Sequence, residues 1–316
     1  MLVTGIALTV ITSCAGNPPE APDRARPFFF EAVQAAGESA ARETITAEDG
    51  TELSYRLYEP DEPIAVAIFY HGGGAHSGAG YQIPACVLAE QYQFVVLTPD
   101  LRGHGASEGA RGDAPSTTAV YRDIDLFVDL ANTMWPGLPI ALVGHSSGAG
   151  LLLNYSTNTD RLSQVRAFGF LAPFFGFRSK TEREPNAAPF SDAKVWPFAL
   201  NAMSFGLLFG HYDAVTFFYP ESVLDDDPSL LRSISVNMAN AVTPSNPSRQ
   251  LERLATPMAA WIGAGDELID SDLLSAFVEE HQPSAELIVL PSVTHLEILE
   301  AGATALGDWL AAEMSE

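Results

Sequence analysis

The feature that most constrains this chain is a series of short apolar runs, each of strand length and each cut off by turn-forming residues. Ile64–Tyr70 stops at His71-Gly-Gly-Gly74, Phe94–Thr98 at Pro99-Asp100, and Ile140–Val143 at Gly144. Ala167–Leu171, Met258–Ile262 and Leu287–Leu290 repeat the pattern. A run without alternation leaves neither face for water, so these strands need helices on both sides, as in a mostly parallel sheet. The helices are legible between them. Tyr121–Met134 spaces Ile124, Phe127, Val128 and Ala131 along one face, and Gly148–Tyr155, Leu273–Glu280 and Ala301–Met314 are further candidates. Glu43–Ala47 and Leu53–Tyr58 flank Glu48-Asp-Gly-Thr51, whose Asp-Gly marks a hairpin. The alternation predicts an α/β fold with a mostly parallel, doubly wound sheet and ligands outside the carboxyl ends of its strands.

That rhythm breaks from about Phe174 to Ser248, where aromatic residues and prolines crowd between two strands. A mostly helical cap insertion, at about 174–250, is expected there. Its aromatics serve the cap's own core or line an apolar acyl pocket. The α/β domain as a whole spans 43–316, and 316 residues suffice to bury a large core in one domain without metals or disulfides.

Residues 1–14 read differently. An apolar stretch, Leu2–Ile11, is too short to span a bilayer and leads into Ile11-Thr-Ser-Cys14. It resembles a bacterial lipoprotein signal, whose terminal cysteine is acylated after cleavage, although no Lys or Arg precedes it. Residues 15–42, opening Ala15-Gly-Asn-Pro-Pro, form a tether and N-terminal segment. The expectation is an exported protein of the bacterial cell envelope, with membrane anchoring through an acylated Cys14. The second cysteine, Cys86, lies in an apolar run and reads as a small core residue.

Charge excludes one class of partner. The chain carries 40 acidic against 16 basic residues, a formal charge of −24. Such a surface repels phosphate backbones and has no basic stripe, so nucleic acid is not expected to bind.

The chemistry centres on Gly144-His145-Ser146-Ser147-Gly148. A serine hydroxyl attacks carbonyls only when it is exposed, close to a base and beside donors for the oxyanion. A Gly-x-Ser-x-Gly turn from a buried strand into a helix provides that exposure. Acid and base follow in the order such a sheet demands, serine then acid then histidine. Asp266, just past the run Met258–Ile262, can hold an imidazole's tautomer; Asp270 and Asp272 are rivals placed to cap a helix instead. His295 stands on the loop after the last run. A backbone N–H of His71-Gly-Gly-Gly74, that of Gly73, and its companion at Ser147 are the oxyanion candidates. His104 could be a second base, though a local hydrogen-bonded turn also explains it, and His145 is expected to pack beneath the turn. No Lys-Ser/Thr completes a phosphate loop and no paired cysteines mark a metal site, so neither cofactor nor metal is expected.

These segments together resemble the monoacylglycerol lipase and lysophospholipase group of α/β-hydrolases, the serine aminopeptidase S33-like hydrolases. The matching residues are His71-Gly-Gly-Gly-Ala-His-Ser-Gly78, Asp100-Leu-Arg-Gly-His-Gly-Ala-Ser-Glu-Gly109, Gly144-His-Ser-Ser-Gly-Ala149, Gly263-Ala-Gly-Asp266 and Thr294-His295. The resemblance implies the α/β-hydrolase fold, a cap between the sixth and seventh core strands, and hydrolysis of a small-molecule or lipid ester with one acyl chain. It implies no cofactor. It assigns Ser146, Asp266 and His295 as triad and Gly73 and Ser147 as oxyanion donors. Gly73 departs from the alanine often found there, and the cap sequence carries none of the matching motifs, which leaves the substrate open. A peptidase would need a cap carboxylate for the substrate amine, for which Glu221, Asp225, Asp226 and Asp227 are candidates. An acyltransferase would share every motif, whereas a dehalogenase or epoxide hydrolase would carry Asp at position 146. A non-catalytic binding protein would be expected to lack one of the three residues.

Overall fold

The computed structural model describes residues 40–183 and 190–315. The signal and nearly all of the tether fall outside them.

The chain enters as an antiparallel hairpin, β1 (Ala41–Thr46) and β2 (Glu52–Tyr58), then lays down β3 (Ala65–Tyr70), α1 (Gln82–Tyr92), β4 (Phe94–Pro99), α2 (Thr117–Met134), β5 (Ile140–His145), α3 (Ser147–Tyr155) and β6 (Val165–Leu171). Every residue of β3, β4 and β5 is buried, as their unbroken apolar sequences require. Helix α2 starts where the Ser116 hydroxyl accepts from the Ala119 N–H, and its apolar face buries Ile124, Phe127, Val128 and Ala131. Helix α1 carries Cys86, half-buried against the core.

An insertion follows β6. Its regular structure is mainly helical, with α4 (Val195–Met203), α5 (Glu221–Asp226), α6 (Val236–Val242) and α7 (Pro247–Arg253). The sequence pattern did not foresee the small antiparallel sheet beside them: β7 (Ser191–Ala193), β8 (Asp213–Phe217) and β9 (Ser233–Ser235). Its central strand buries Ala214 and Phe217, and its Val-Thr pair favours extended backbone, but five residues are too few to announce a period. The chain then returns to the body with β10 (Met258–Gly263), α8 (Ser271–His281), β11 (Glu286–Leu290), α9 (Ile298–Ala301) and α10 (Ala303–Ser315).

The main sheet has the order β1-β2-β4-β3-β5-β6-β10-β11, antiparallel only where β2 meets its neighbours. This is the mostly parallel sheet expected from the sequence. The order places the site. From β3 the chain crosses to β4 on one side, then from β4 past β3 to β5 on the other. Right-handed crossovers in opposite directions put α1 and α2 on opposite faces. The carboxyl ends of β3 and β5 therefore lie at the point where the winding reverses, the crevice in which such sheets bind ligands. The core around it is dense: Trp261, Phe69, Phe168 and Phe170 are fully buried, each ring contributing about 1.5–3 kcal/mol relative to exposure.

Candidate active site

Strand β5 ends at His145 and α3 begins at Ser147, leaving Ser146 alone in the turn at φ 53°, ψ −123°. A non-glycine residue there is strained, and three hydrogen bonds hold it. The Ser146 N–H donates to the Leu171 carbonyl at 2.9 Å, and the Ser146 carbonyl accepts from Ala149 and Phe174, each at 3.0 Å. Close packing explains Gly148: a Cβ there would stand 2.5 Å from the Tyr70 carbonyl oxygen and 2.7 Å from that of His71. The turn thus presses against the end of β3 while lifting its serine into the crevice.

Two other strand ends supply the partners. Past β10, Asp266 is buried, and its Oδ1 accepts from the N–H groups of Leu268 and Ile269, both at 2.8 Å. Its Oδ2 accepts from His295 Nδ1 at 2.8 Å, and His295 Nε2 lies 2.9 Å from Ser146 Oγ. With Nδ1–H committed to a carboxylate, Nε2 is left to accept the serine proton. The backbone N–H of His295 donates to Glu267 Oε2 at 3.0 Å, fixing the loop as well as the ring. Burial alone would lower the His295 pKa, but the Asp266 charge and hydrogen bond outweigh it and the net shift is upward from 6.5. Burial would raise Asp266, yet the His295 charge and hydrogen bond and the two backbone donors carry it below the usual carboxylate value.

The loop after β3 brings Gly73 beside Ser147: a Cβ on Gly73 would meet Ser147 Oγ at 3.2 Å. Among the described residues, no protein group accepts the N–H of Gly73 or of Ser147. The Ser147 N–H also opens helix α3, where the backbone dipole favours negative charge.

Other histidines are structural neighbours with fixed tautomers. His145 Nε2–H donates to the His295 carbonyl at 3.0 Å, so its Nδ1 accepts from Tyr81 Oη at 2.9 Å. His71 Nε2 accepts from the Leu101 N–H, and its Nδ1–H donates to the Gly72 carbonyl. His104 is buried against His71, rings 5.2 Å apart, with Nδ1 donating to the Arg102 carbonyl. Burial holds His71 down at about 4 and His104 and His145 at about 3, so all three stay neutral.

The remaining candidates separate from the site. Asp270 caps α8, accepting from the N–H groups of Asp272 and Leu273. Glu221 is paired with Arg232, Asp227 accepts from His76 Nε2 at 2.7 Å, and Asp225 and Asp226 are exposed. Three residues that shape the site were not foreseen: Tyr81, Glu267 and the cap's Tyr219, whose hydroxyl donates to the Gly73 carbonyl at 3.2 Å. Glu267 adjoins Asp266 and could have been flagged by position; the tyrosines carried no local signal.

Comparison with known proteins gives the family and the fold. A family profile described as serine aminopeptidase, S33, matches residues 61–301. Human monoglyceride lipase is 28% identical over 234 residues, covering 71% of this chain and 72% of that protein. Among solved structures, a soluble variant of Saccharomyces cerevisiae monoglyceride lipase in complex with a substrate analogue superposes with a TM-score of 0.64 at 16% identity, over 87% of this chain and 96% of that one. Est1E from Butyrivibrio proteoclasticus, with ferulic acid bound, gives 0.62 at 17% identity, over 87% of this chain and all of that one (100%). These structures share the fold.

Proposed function

Because this chain belongs to the serine aminopeptidase S33 family of α/β-hydrolases, we propose that it is a serine hydrolase cleaving carboxylic esters with an apolar acyl chain, of the monoacylglycerol lipase, lysophospholipase or carboxylesterase type. The observation that carries the reading is the line Ser146 Oγ, His295 Nε2, His295 Nδ1, Asp266 Oδ2, with spacings of 2.9 and 2.8 Å, beside two N–H groups without an acceptor among the described residues. In the first step Ser146 Oγ attacks the ester carbonyl while His295 Nε2 takes its proton. The N–H groups of Gly73 and Ser147 receive the oxyanion, each worth roughly 3 kcal/mol of barrier. His295 then passes the proton to the leaving alcohol, and an acyl-enzyme remains. Water, deprotonated by the same imidazole, releases the acid. Asp266 keeps the imidazole oriented and steadies its charge.

The comparison proteins are lipases and esterases by name, which supports an ester substrate. The aromatic cluster Phe190, Phe217 and Tyr219 lies against Gly73 and Gly74 and supports an apolar acyl group. A peptidase needs a carboxylate for the substrate amine; those named from the sequence are ion-paired or exposed, which favours the ester. Anchoring belongs to the same proposal: Cys14, outside the described residues, would be acylated and hold the enzyme at the cell envelope. Incorporation of a labelled fatty acid by the full chain but not by Cys14→Ser checks that part.

The test of the activity is hydrolysis of p-nitrophenyl esters from acetate to palmitate, beside Ser146→Ala. Turnover that disappears with the substitution supports the esterase, and the preferred chain length measures the acyl pocket. Inert esters with cleaved aminoacyl-anilides would give the peptidase reading; inertness to both would remove the hydrolase.

A further inference from the structure

In the loop that carries the oxyanion donor one side chain holds the backbone: His71 Nδ1–H donates to the Gly72 carbonyl at 2.9 Å, and the same carbonyl accepts from the Ala75 N–H at 3.2 Å. Gly72, Gly73 and Gly74 follow one another, and Gly74 sits at φ 73°. Three successive glycines sample backbone that other residues exclude. A donor helps only if it already points at the place where charge will develop. The peptides on either side of the one that bears the Gly73 N–H are held from outside the loop.

Two tyrosine hydroxyls bracket the peptide plane that bears the Gly73 N–H. On the body side, the Gly72 N–H donates to Tyr81 Oη at 2.7 Å, and that hydroxyl donates onward to His145 Nδ1. On the cap side, Tyr219 Oη donates to the Gly73 carbonyl at 3.2 Å, and the Leu231 N–H to the Gly74 carbonyl at 2.8 Å. The Phe217 ring covers the same stretch: a Cβ at Gly73 would meet its Cζ at 3.0 Å, and one at Gly74 its Cδ2 at 2.9 Å. Tyr219 is itself set by Phe190, edge to face at 5.1 Å. Further along the loop, His76 is tied to the cap's Asp227. Past Gly73 the Tyr219, Leu231 and Asp227 bonds come from the cap, and the chain is tied back to the body where the Ser77 N–H donates to Asp100 Oδ1 at 2.7 Å.

We propose that Tyr219 is a positioning residue for the oxyanion donor, so that the seating of the cap sets how well the body stabilises the transition state; this rests on the serine hydrolase reading above. The hydroxyl bonds the Gly73 carbonyl, whereas Ser146 Oγ bonds His295. Tyr219 acts by pinning the Gly73 carbonyl, which together with the Tyr81 bond to the Gly72 N–H and the His71 and Ala75 bonds to the Gly72 carbonyl holds the N–H between them in one direction. The ring of Phe217 occupies the space that an alanine methyl at position 73 would need, so this chain holds the loop from outside.

The test is Tyr219→Phe in the full-length chain, assayed on p-nitrophenyl butyrate and with an alkyl trifluoromethyl ketone. Ser146 Oγ adds to that ketone's carbonyl carbon as its proton moves to His295, and the resulting oxyanion occupies the same donors. The expected result is a kcat lower by about tenfold, less than the loss of a whole donor, with KM within about twofold. Ketone affinity should weaken by the same factor as kcat, with the melting temperature held. Unchanged kcat and ketone affinity, or a loss confined to KM, would overturn the proposal. If Tyr219→Phe fails to fold, Tyr81→Phe tests the opposite bond: a matched loss of kcat and ketone affinity supports the proposal, and no change in either overturns it. Ser146→Ala separates the two levels: if it retains full turnover the hydrolase reading fails, whereas loss there with an indifferent Tyr219→Phe overturns the positioning role alone.

Discussion

The body and the cap handle apolar residues in opposite ways. In the body, β3, β4, β5 and β10 are buried at every position. In the cap, Met203, Phe205 and Leu207 are 77%, 95% and 84% exposed, and most of the large apolar side chains exposed among the described residues lie between Val195 and Phe209. No carboxylate occurs from Lys194 to Tyr212, in a chain with 40 acidic residues. The difference separates two duties. Body residues are apolar because packing demands it, and they place the chemistry. Met203, Phe205 and Leu207 of the cap are apolar without packing demanding it, which directs attention to what they meet outside the chain. The two regions join where chemistry is proposed, at the glycine loop held between Tyr81 and Tyr219.

The comparison breaks most completely at the nucleophile. Ser146→Ala is expected to lower ester turnover by at least about 10⁴-fold while leaving the melting temperature within a few degrees, since the hydroxyl packs against nothing the body needs. Retained turnover would mean that the body does not carry the chemistry. Next comes Asp266→Asn, with a loss of about 10³- to 10⁴-fold. Its pH profile is as informative as its rate. His295 must be neutral to act as base, and its pKa lies above 6.5, so kcat/KM of the parent should rise with pH through a limb above that value. In Asp266→Asn the burial that lowers the imidazole pKa remains and the charge that raises it is gone, so the limb should move to lower pH. A limb that stays in place would show that Asp266 does not set it.

Stability should divide along the same line. Phe168→Ala, in β6, removes a fully buried ring and should cost about 3–5 kcal/mol in denaturant unfolding. Phe205→Ala in the cap should change stability by less than about 0.5 kcal/mol. Comparable losses at the two sites would mean that the exposed cap residues pack against something after all.

How much of this could be read from residues alone follows the range of each interaction. The strand run Phe94–Thr98 lies within one residue of β4 because burial on both faces writes itself into consecutive positions. Ser146 was legible because the turn needs glycines within two residues of it. Helix α1 was missed: its buried residues share one face, but Ile83, Cys86 and Val87 on the other face are apolar and half-buried too, so no period shows, and Pro84 in its first turn disguises the start. The cap sheet was missed because its strands run three to five residues. The role of Tyr219 could not be found from sequence, since its partner Gly73 is 146 positions away and the residues around the tyrosine carry no motif. Local rules reveal where the proposed nucleophile stands; long-range contacts hold the glycine loop beside it.

The smallest expected effect tests the exposed cap surface under the lipid-ester reading. A substrate with a long acyl chain exists mostly as an aggregate, and an enzyme working on it gains from any surface that rests on the aggregate. Single exposed apolar residues mean little, but Met203, Phe205 and Leu207 are adjacent, uncharged and set in a cap whose Tyr219 and Phe217 reach the Gly73 loop. The double substitution Phe205→Glu with Leu207→Glu places two charges where burial against lipid would be costly. Turnover of dissolved p-nitrophenyl acetate should stay within about twofold, because neither residue touches the proposed site, whereas turnover of a dispersed long-chain monoglyceride should fall by about tenfold. Co-sedimentation with phosphatidylcholine vesicles should weaken in parallel. If the dispersed substrate is cleaved as fast as before, the apolar surface of the cap does not serve the substrate, and the division of duties between cap and body has to be drawn at the glycine loop alone.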